Sequence, residues 1–270
     1  MSLTNIEGAG DQIEPAFTNS PQYHCGPLSK SLGCRVTLKV ETQNPVRSFK
    51  GRGSQIAVGN AVKNGAHAVV CASAGNLGQA VAYCARSHGI DSVVYVSNQA
   101  NRLKRERISE LGASLRLVDG DIEVARAKAQ AFSRTDGVCL IEDSENIATC
   151  EGAATIGLEL IADGTPALDA VLVSLGGGAL ATGIGHVMKH KCPSTEVLCV
   201  QPQKAPAMTL SWRAKRVVTT ETIDTIADGV AGRFPIQAVL DDLLEVADDA
   251  LLVGEESIRN GMQLLYSPPA

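Results

Sequence analysis

Short runs rich in β-branched residues alternate with helix-patterned segments along almost the whole chain, and this alternation limits the fold more than any other feature. The runs are VTLKV (36–40), AVVCA (68–72), SVVYV (92–96), LRLV (115–118), VCLI (138–141), AVLVS (170–174) and EVLCV (196–200). Between them, Leu77, Ala80, Val81 and Cys84 fall at i, i+3, i+4 and i+7, one face of a helix. Ile258, Met262 and Leu265 make a similar stripe near the end. Strands this continuously apolar, separated by helices, predict an α/β fold with open parallel or mixed sheets covered by helices on both faces. No internal repeat or low-complexity segment interrupts the pattern.

Four strand–helix units lie between Ala66 and Ile147, and another set follows from Ala148. The loop EDSENIATCEG is the expected crossing between two lobes. Residues 1–65 would join 148–270 in a discontinuous large domain, with 66–147 as a small inserted domain. Ligands of such sheets sit beyond the carboxyl ends of the strands. SAGN and SLGGGALATG both fall there.

Composition narrows the partners. The 24 Lys+Arg against 29 Asp+Glu give a net charge of −5, spread without blocks, which argues against a nucleic-acid surface and for small-molecule substrates. The uncharged stretch Ala170 to Gly185 has 16 residues and is broken by glycine, so no membrane span is expected. MSLTNIEGAGDQIEP has early acids and no apolar core, and a cytoplasmic location is expected. The eight cysteines (25, 34, 71, 84, 139, 150, 192, 199) include no C-x-x-C pair. Reduced, buried thiols are expected rather than disulfides or zinc ligands.

Three segments carry candidate chemistry. In VRSFKGRG (46–53), Lys50 lies beside Phe49 and between Arg47 and Arg52. Like charges and burial favour a neutral amine, a nucleophile that condenses with aldehydes. Taken alone, the same eight residues favour a solvated lysine at a helix start. In VLVSLGGGALATGIG (171–185), a strand runs through three glycines into a helix start, which suits an anion held by backbone N–H groups. A P-loop would need Gly-Lys-Ser/Thr where the chain has Gly185-His186. A dinucleotide site would want an acid near the end of the next strand, which here reads Val200-Gln201-Pro202. A phosphate without a ribose fits best, and a tight packing turn is the alternative. In ASAGNLGQAVAY (72–83), Ser73, Ala74, Gly75 and Asn76 precede a helix and suit a carboxylate, although Asn76 could equally be a plain helix cap.

Taken together, SFKGRG, SAGNLGQ and SLGGGALATG resemble, in order and spacing, the pyridoxal-phosphate enzymes of the tryptophan-synthase β type (fold type II). Within these the match is to the threonine/serine dehydratase and serine racemase branch. TIADGVA (225–231) and SPQYHCGPLSKSLGCRVTLKVE (20–41) match that branch too, so the resemblance covers residues 20–266. It implies a two-domain fold with pyridoxal 5'-phosphate in the cleft between domains, and no NAD. It implies that Lys50 condenses with the cofactor and later removes the substrate Cα proton. Asn76 would bond the phenolic oxygen of the cofactor ring. Ser73, Gly75, Asn76 and Leu77 would hold the substrate carboxylate, and Gly176, Gly177, Gly178, Ala179 and Leu180 the phosphate. Phe49 would pack on the cofactor, and the backbone at Gly229 would line the pocket.

The implied activity is β-elimination of a small hydroxy-amino acid such as threonine or serine to a 2-oxo acid and ammonia, by a cytoplasmic homodimer. A β-replacement synthase of the cysteine-synthase type, or a non-catalytic cofactor-binding subunit, are the alternatives. SAGN, where such synthases tend to show TSGN, argues against the first.

Departures sharpen the expectation. Ala74 stands where racemases of this branch carry a serine that protonates the opposite face. Gln201, and the position near Ala207, lack the acids that hold a structural divalent cation in some members, so no metal is expected. Arg47 stands where the family often has glycine; it would select an acidic substrate side chain or face solvent. The family's last helix and strand, with the serine or cysteine that meets the pyridine nitrogen, have no counterpart before the sequence stops at LLYSPPA, so the C-terminal end of the large domain is expected to be missing.

Overall fold

A computed structural model describes residues 1–162 and 164–266, so the last four residues of LLYSPPA lie outside the described residues. In chain order the elements are α1 (Leu3–Ala9), β1 (Gln22–His24), α2 (Gly26–Leu32), β2 (Thr37–Lys39), α3 (Lys50–Lys63), β3 (Ala68–Ala72), α4 (Asn76–Ser87), β4 (Asp91–Ser97), α5 (Arg102–Glu110), β5 (Ser114–Val118), α6 (Ile122–Phe132), β6 (Val138–Leu140), α7 (Ile147–Leu160), β7 (Ala170–Ser174), α8 (Ala179–Lys191), β8 (Glu196–Pro202), α9 (Ala207–Ala214), α10 (Gln237–Val246), β9 (Asp249–Val253) and α11 (Glu255–Tyr266). Each expected strand run overlaps an observed strand. β1 and β9 were not expected: QYH pairs only with β2, and DALLV opens on an acid at a sheet edge. Among the described residues, no helix is long and apolar enough to cross a membrane.

By compactness the chain divides into two units, residues 1–18 with 42–155, and 19–41 with the chain from Ile156 onward. This grouping differs from the expected division, because residues 1–18, 42–65 and 148–155 fall in the first unit. The cause is the burial of α3. It lies along α4, and Ile56, Ala57, Val58 and Ala61 share one core with Val69, Cys71, Val81 and Val94.

The first unit is built on a parallel sheet of order β5-β4-β3-β6. Alternate residues of β3 enter different clusters, as the two-residue period of a strand requires. Val69 and Cys71 join Val81, Ala85 and Ile108 on one face, and Val70 joins Val93 and Ala129 on the other. The second unit holds the parallel sheet β7-β8-β9 and the antiparallel pair β1-β2. There Lys39 Nζ donates to the Ser20 carbonyl at 2.8 Å and to Glu159 Oε2 at 2.5 Å, tying the short β1-β2 pair to the last turn of α7.

Two glycines set the spacing of α3 and α7 within the first unit. A Cβ on Gly53 would lie 2.5 Å from the Thr149 carbonyl oxygen, and one on Gly152 would lie 2.5 Å from Gly53 Cα. These are backbone atoms, so a methyl group cannot be absorbed by turning a side chain. Beside this contact the wholly buried Arg52 donates from Nη1 to Thr155 Oγ1 at 3.0 Å, and that hydroxyl donates to the Gly152 carbonyl at 2.7 Å.

Gly152→Ala should therefore destabilise the protein by about 1–3 kcal/mol, the usual cost of overpacking. Gly8→Ala, whose Cβ would meet nothing within 4 Å, should be neutral or slightly stabilising. Thermal denaturation of the two variants beside the parent checks this; a Gly152→Ala protein as stable as the parent refutes the close contact.

Candidate active site

Lys50 is the first residue of α3, and its side chain is largely enclosed, 14% exposed. Its Nζ donates to both carboxylate oxygens of Asp143, at 2.6 and 2.7 Å, and lies 4.6 Å from the centre of the Phe49 ring. Asp143 belongs to a tight turn that leads into α7. The Ser144 N–H donates to its Oδ1 at 2.9 Å, and its carbonyl accepts from the N–H groups of Glu145 and Asn146. Asn146 Oδ1 then accepts the Ala148 N–H at 3.0 Å. The carboxylate is thus fixed by its own turn before Lys50 reaches it.

Charge around this turn is uneven. Burial pushes the Asp143 carboxyl up, but the charge and hydrogen bonds of Lys50, the Ser144 N–H and the charge of Arg126 outweigh it and hold the group below the ordinary carboxylate range. Glu142 goes the other way: burial, then the hydrogen bond and charge of Glu145, raise it above that range.

The expectation that Arg47 and Arg52 set the charge state of Lys50 is corrected here. Arg52 is buried along α3 and turned to Thr155, and Arg47 is exposed. The charge in contact with Nζ is the carboxylate of Asp143, which sequence reading missed. Arg47 has φ +54°, left-handed backbone that L-residues seldom adopt, which gives a physical reason for glycine at that position.

Ser73, Ala74 and Gly75 form the loop between β3 and α4, and the Gly75 N–H donates to Ser73 Oγ at 3.1 Å. Gly78 lets the loop lie on the helix, since a Cβ there would be 2.3 Å from the Ser73 carbonyl oxygen. The cap position of α4 falls on Gly75, with no side-chain cap, so Asn76 is not the plain cap that its sequence allowed; it is the exposed first residue of the helix. Leu77 is buried. Ala74 packs against the core and brings a methyl group to the loop.

In the second unit Gly176, Gly177 and Gly178 link β7 to α8, and Ala179 and Leu180 are its first residues. Gly178 is the cap, with φ +109° and no side-chain cap, and a Cβ there would be 2.3 Å from Val239 Cγ1. A Cβ on Gly176 would come within 3.0 Å of Val230 Cα, so this loop lies against the 3₁₀ turn Asp228–Val230 that carries the exposed Gly229. Within the second unit, then, Gly176 and the turn bearing Gly229 are brought together. Within the first, Lys50 meets Asp143 and the Phe49 ring, while Ser73, Gly75, Asn76 and Leu77 gather at the start of α4.

Both helix starts have glycine at the cap position and no cap side chain, so their backbone N–H groups lie behind loops of glycine and small residues. Such donors, at the positive end of a helix, fit a phosphate at α8 and a carboxylate at α4. The model of the pyridoxal-phosphate dependent enzyme family matches residues 13–267. The chain belongs to this family. It is 30% identical, over 99% of its length, to the biosynthetic L-threonine dehydratase of Lactococcus lactis subsp. lactis, and 34% identical, over 86%, to that of Mycobacterium leprae. It spans 66% and 55% of the lengths of these two relatives. The structure of maize serine racemase superimposes with a TM-score of 0.92 at 25% identity, covering 99% of this chain and 81% of that one. The fold is therefore that of the fold-type-II pyridoxal-phosphate enzymes, in the dehydratase and racemase branch that the motifs resemble, and pyridoxal phosphate is the family's cofactor.

Where some members have acids for a cation, Gln201 is wholly buried and its Oε1 accepts the Thr209 N–H at 2.8 Å, while Ala207 opens α9. Among the described residues, no group of three or more His, Cys, Asp or Glu is placed to hold a metal. Burial pushes the Cys71 and Cys199 thiols up to about 12, so neither is a thiolate nucleophile at neutral pH. Cys34, by contrast with the expected buried thiols, is exposed.

Arg47→Gly should leave the melting temperature unchanged or raise it. Release of left-handed strain, about 1 kcal/mol, outweighs or matches the backbone entropy of glycine, about 0.5–1 kcal/mol. Arg47→Val should lower it, and thermal scans of the pair check the assignment.

Asp143 also gives stability a pH dependence. Its folded carboxyl is depressed, so its contribution is present above the ordinary aspartate range and is lost as pH falls through the lowered folded value. Asp143→Asn should flatten that part of the acid limb in denaturant titrations between about pH 5 and 2.

Proposed function

We propose that the protein is an ammonia-lyase that eliminates water from threonine, serine or a similar small hydroxy-amino acid, giving a 2-oxo acid and ammonia. The observation that carries this is the loop at residues 73–76. With Ser73, Ala74, Gly75 and Asn76 it offers no titratable side chain, so Lys50 is left as the one proton acceptor of the motif set. The similarity to threonine dehydratases supports the same choice.

Pyridoxal phosphate, when bound, supplies an electron sink for the pair left at Cα. The residues that would hold it are Lys50 through its amine, Asn76 through its side-chain amide, Phe49 by packing, and Gly176, Gly177, Gly178, Ala179 and Leu180 through N–H groups at the start of α8. Gly229 would contribute main chain. Ser73, Gly75, Asn76 and Leu77 would orient the substrate carboxylate, which fixes which Cα bond is presented for cleavage. Lys50 Nζ, freed when the substrate amine takes its place, would then take the Cα proton, and the β-hydroxyl would leave as water after gaining a proton from the bound phosphate. The enamine so released hydrolyses to the 2-oxo acid and ammonia. The same reading makes the protein a cytoplasmic homodimer, as members of this branch commonly are dimers.

Borohydride reduction of the cofactor-loaded protein should fix the label on Lys50, and Lys50→Ala should carry none. A label on Lys39, Lys63 or another lysine would refute the assignment. The parent should release keto acid from L-serine or L-threonine without added sulfide, which a β-replacement synthase or a non-catalytic subunit would not do. Chiral analysis of the same samples should show little D-serine, because Ala74 gives the second face of Cα a methyl group instead of a hydroxyl. Ala74→Ser should raise racemisation relative to elimination. Parent protein that interconverts L- and D-serine faster than it releases pyruvate would overturn the lyase reading.

A further inference from the structure

We propose that Asp143 is the positioning residue of Lys50, holding its amine whenever that nitrogen is not bonded to cofactor and stabilising the ammonium formed when it gains a proton. This rests on the reading of Lys50 as the cofactor lysine and extends it to a residue 93 positions away.

Three features set this pair apart from a chance surface contact. The bond is two-pronged, with both carboxylate oxygens within 2.7 Å of Nζ. The carboxylate is pre-set by the Ser144 N–H and by a turn whose main-chain bonds do not involve Lys50. The backbones that carry the two residues are locked by the Gly53–Gly152 contact and by Arg52 on Thr155. Surface ion pairs have none of these, which is why most contribute little.

The chemistry gives the pair opposite effects at two stages. Capture of an aldehyde needs the free amine, and an anion in contact favours the ammonium instead, so Asp143 slows capture. Proton abstraction converts amine to ammonium, with the proton passing from Cα to Nζ, and the same anion favours that product. Asp143 keeps its negative charge throughout. The other charged groups about it are Arg126 of α6, which supports the anion, and Glu142 and Glu145 of its own turn.

The test uses Asp143→Asn, which keeps an oxygen for the Ser144 N–H and leaves the turn's main-chain bonds intact, with Asp143→Glu as the charge-conserving variant. The whole protein is stripped of cofactor, mixed with pyridoxal phosphate between pH 6 and 9, and quenched with borohydride; label on the Lys50 peptide is read against time. Asp143→Asn should capture about tenfold faster near pH 7, the effect of one contact charge, with its rate profile moved to lower pH, while kcat falls about tenfold at little-changed KM. Asp143→Glu should restore the parent's pH profile in part. Capture profiles of Asp143→Asn and parent that superimpose, with both labelled at Lys50, overturn the proposal; label at a different lysine in the parent overturns the underlying reading instead. A variant that melts at the parent's temperature yet shows neither change also counts against Asp143.

Discussion

The approach of α3 to α7 at Gly53 and Gly152 is the constraint from which the first unit's chemistry follows. With any side chain at either glycine, the helices would have to separate by a methyl group's width. Because they meet at backbone distance, the residue that opens α3 and the turn that opens α7 are held in one place. Arg52 secures this from inside, since its guanidinium is wholly buried and finds Thr155 on α7. A buried guanidinium without such partners would be costly, so the bond specifies the register of the two helices as well as their distance. Lys50 and Asp143 meet because the frame beneath them is rigid.

The starts of α4 and α8 follow a second constraint. In the first unit's sheet, the helices after β4 and β5 are capped in the ordinary way: Asn101 accepts the Leu103 N–H at 2.9 Å, and Asp121 accepts those of Glu123 and Val124 at 3.1 and 3.4 Å. The helix after β3 is not capped, and neither is the one after β7. Glycine in place of a capping side chain costs only about a few tenths of a kcal/mol, so the two glycine caps are a small loss of stability. A glycine cap keeps side-chain bulk away from the helix start, where N–H groups at the positive end of the helix suit an anion. The same strand–loop–helix unit thus serves two purposes, told apart by whether its loop ends in Asn or Asp or in glycine.

Much of this was legible in the sequence, for local reasons. Period-two and continuous apolar runs marked β3 through β8, and the glycines of 176–178 and the small residues of 73–75 marked the loops between strands and helices. What was not legible depends on contacts distant in sequence. VRSFKGRG shows three cations around Phe49, and no local rule tells that Arg52 turns inward while Lys50 finds a carboxylate in EDSEN. That segment reads as an acidic turn ahead of a helix, which it also is. The grouping of residues 42–65 with the first unit was hidden for the same reason, since it follows from the burial of α3 and not from any change of composition. The left-handed backbone at Arg47 could be suspected only from the glycine that the family often carries there.

The arrangement also selects its nucleophile by solvation. An aldehyde reacts with thiolates as well as amines, and Cys71 lies on β3 two residues before Ser73. Cys71 is wholly buried among apolar side chains, with no cation to stabilise the thiolate, so burial alone pushes its thiol up to about 12. Cys84, one strand–helix step away in the same core, is raised by burial and further by the charge of Glu14. Lys50 differs from both in being paired to a carboxylate and in keeping some exposure, 14%, at the open end of its helix. Reactivity in the first unit is therefore set less by which residues are nucleophilic in principle than by which of them is left partly exposed. Apolar burial keeps these two thiols protonated, and the α3–α7 contact places a carboxylate beside the amine.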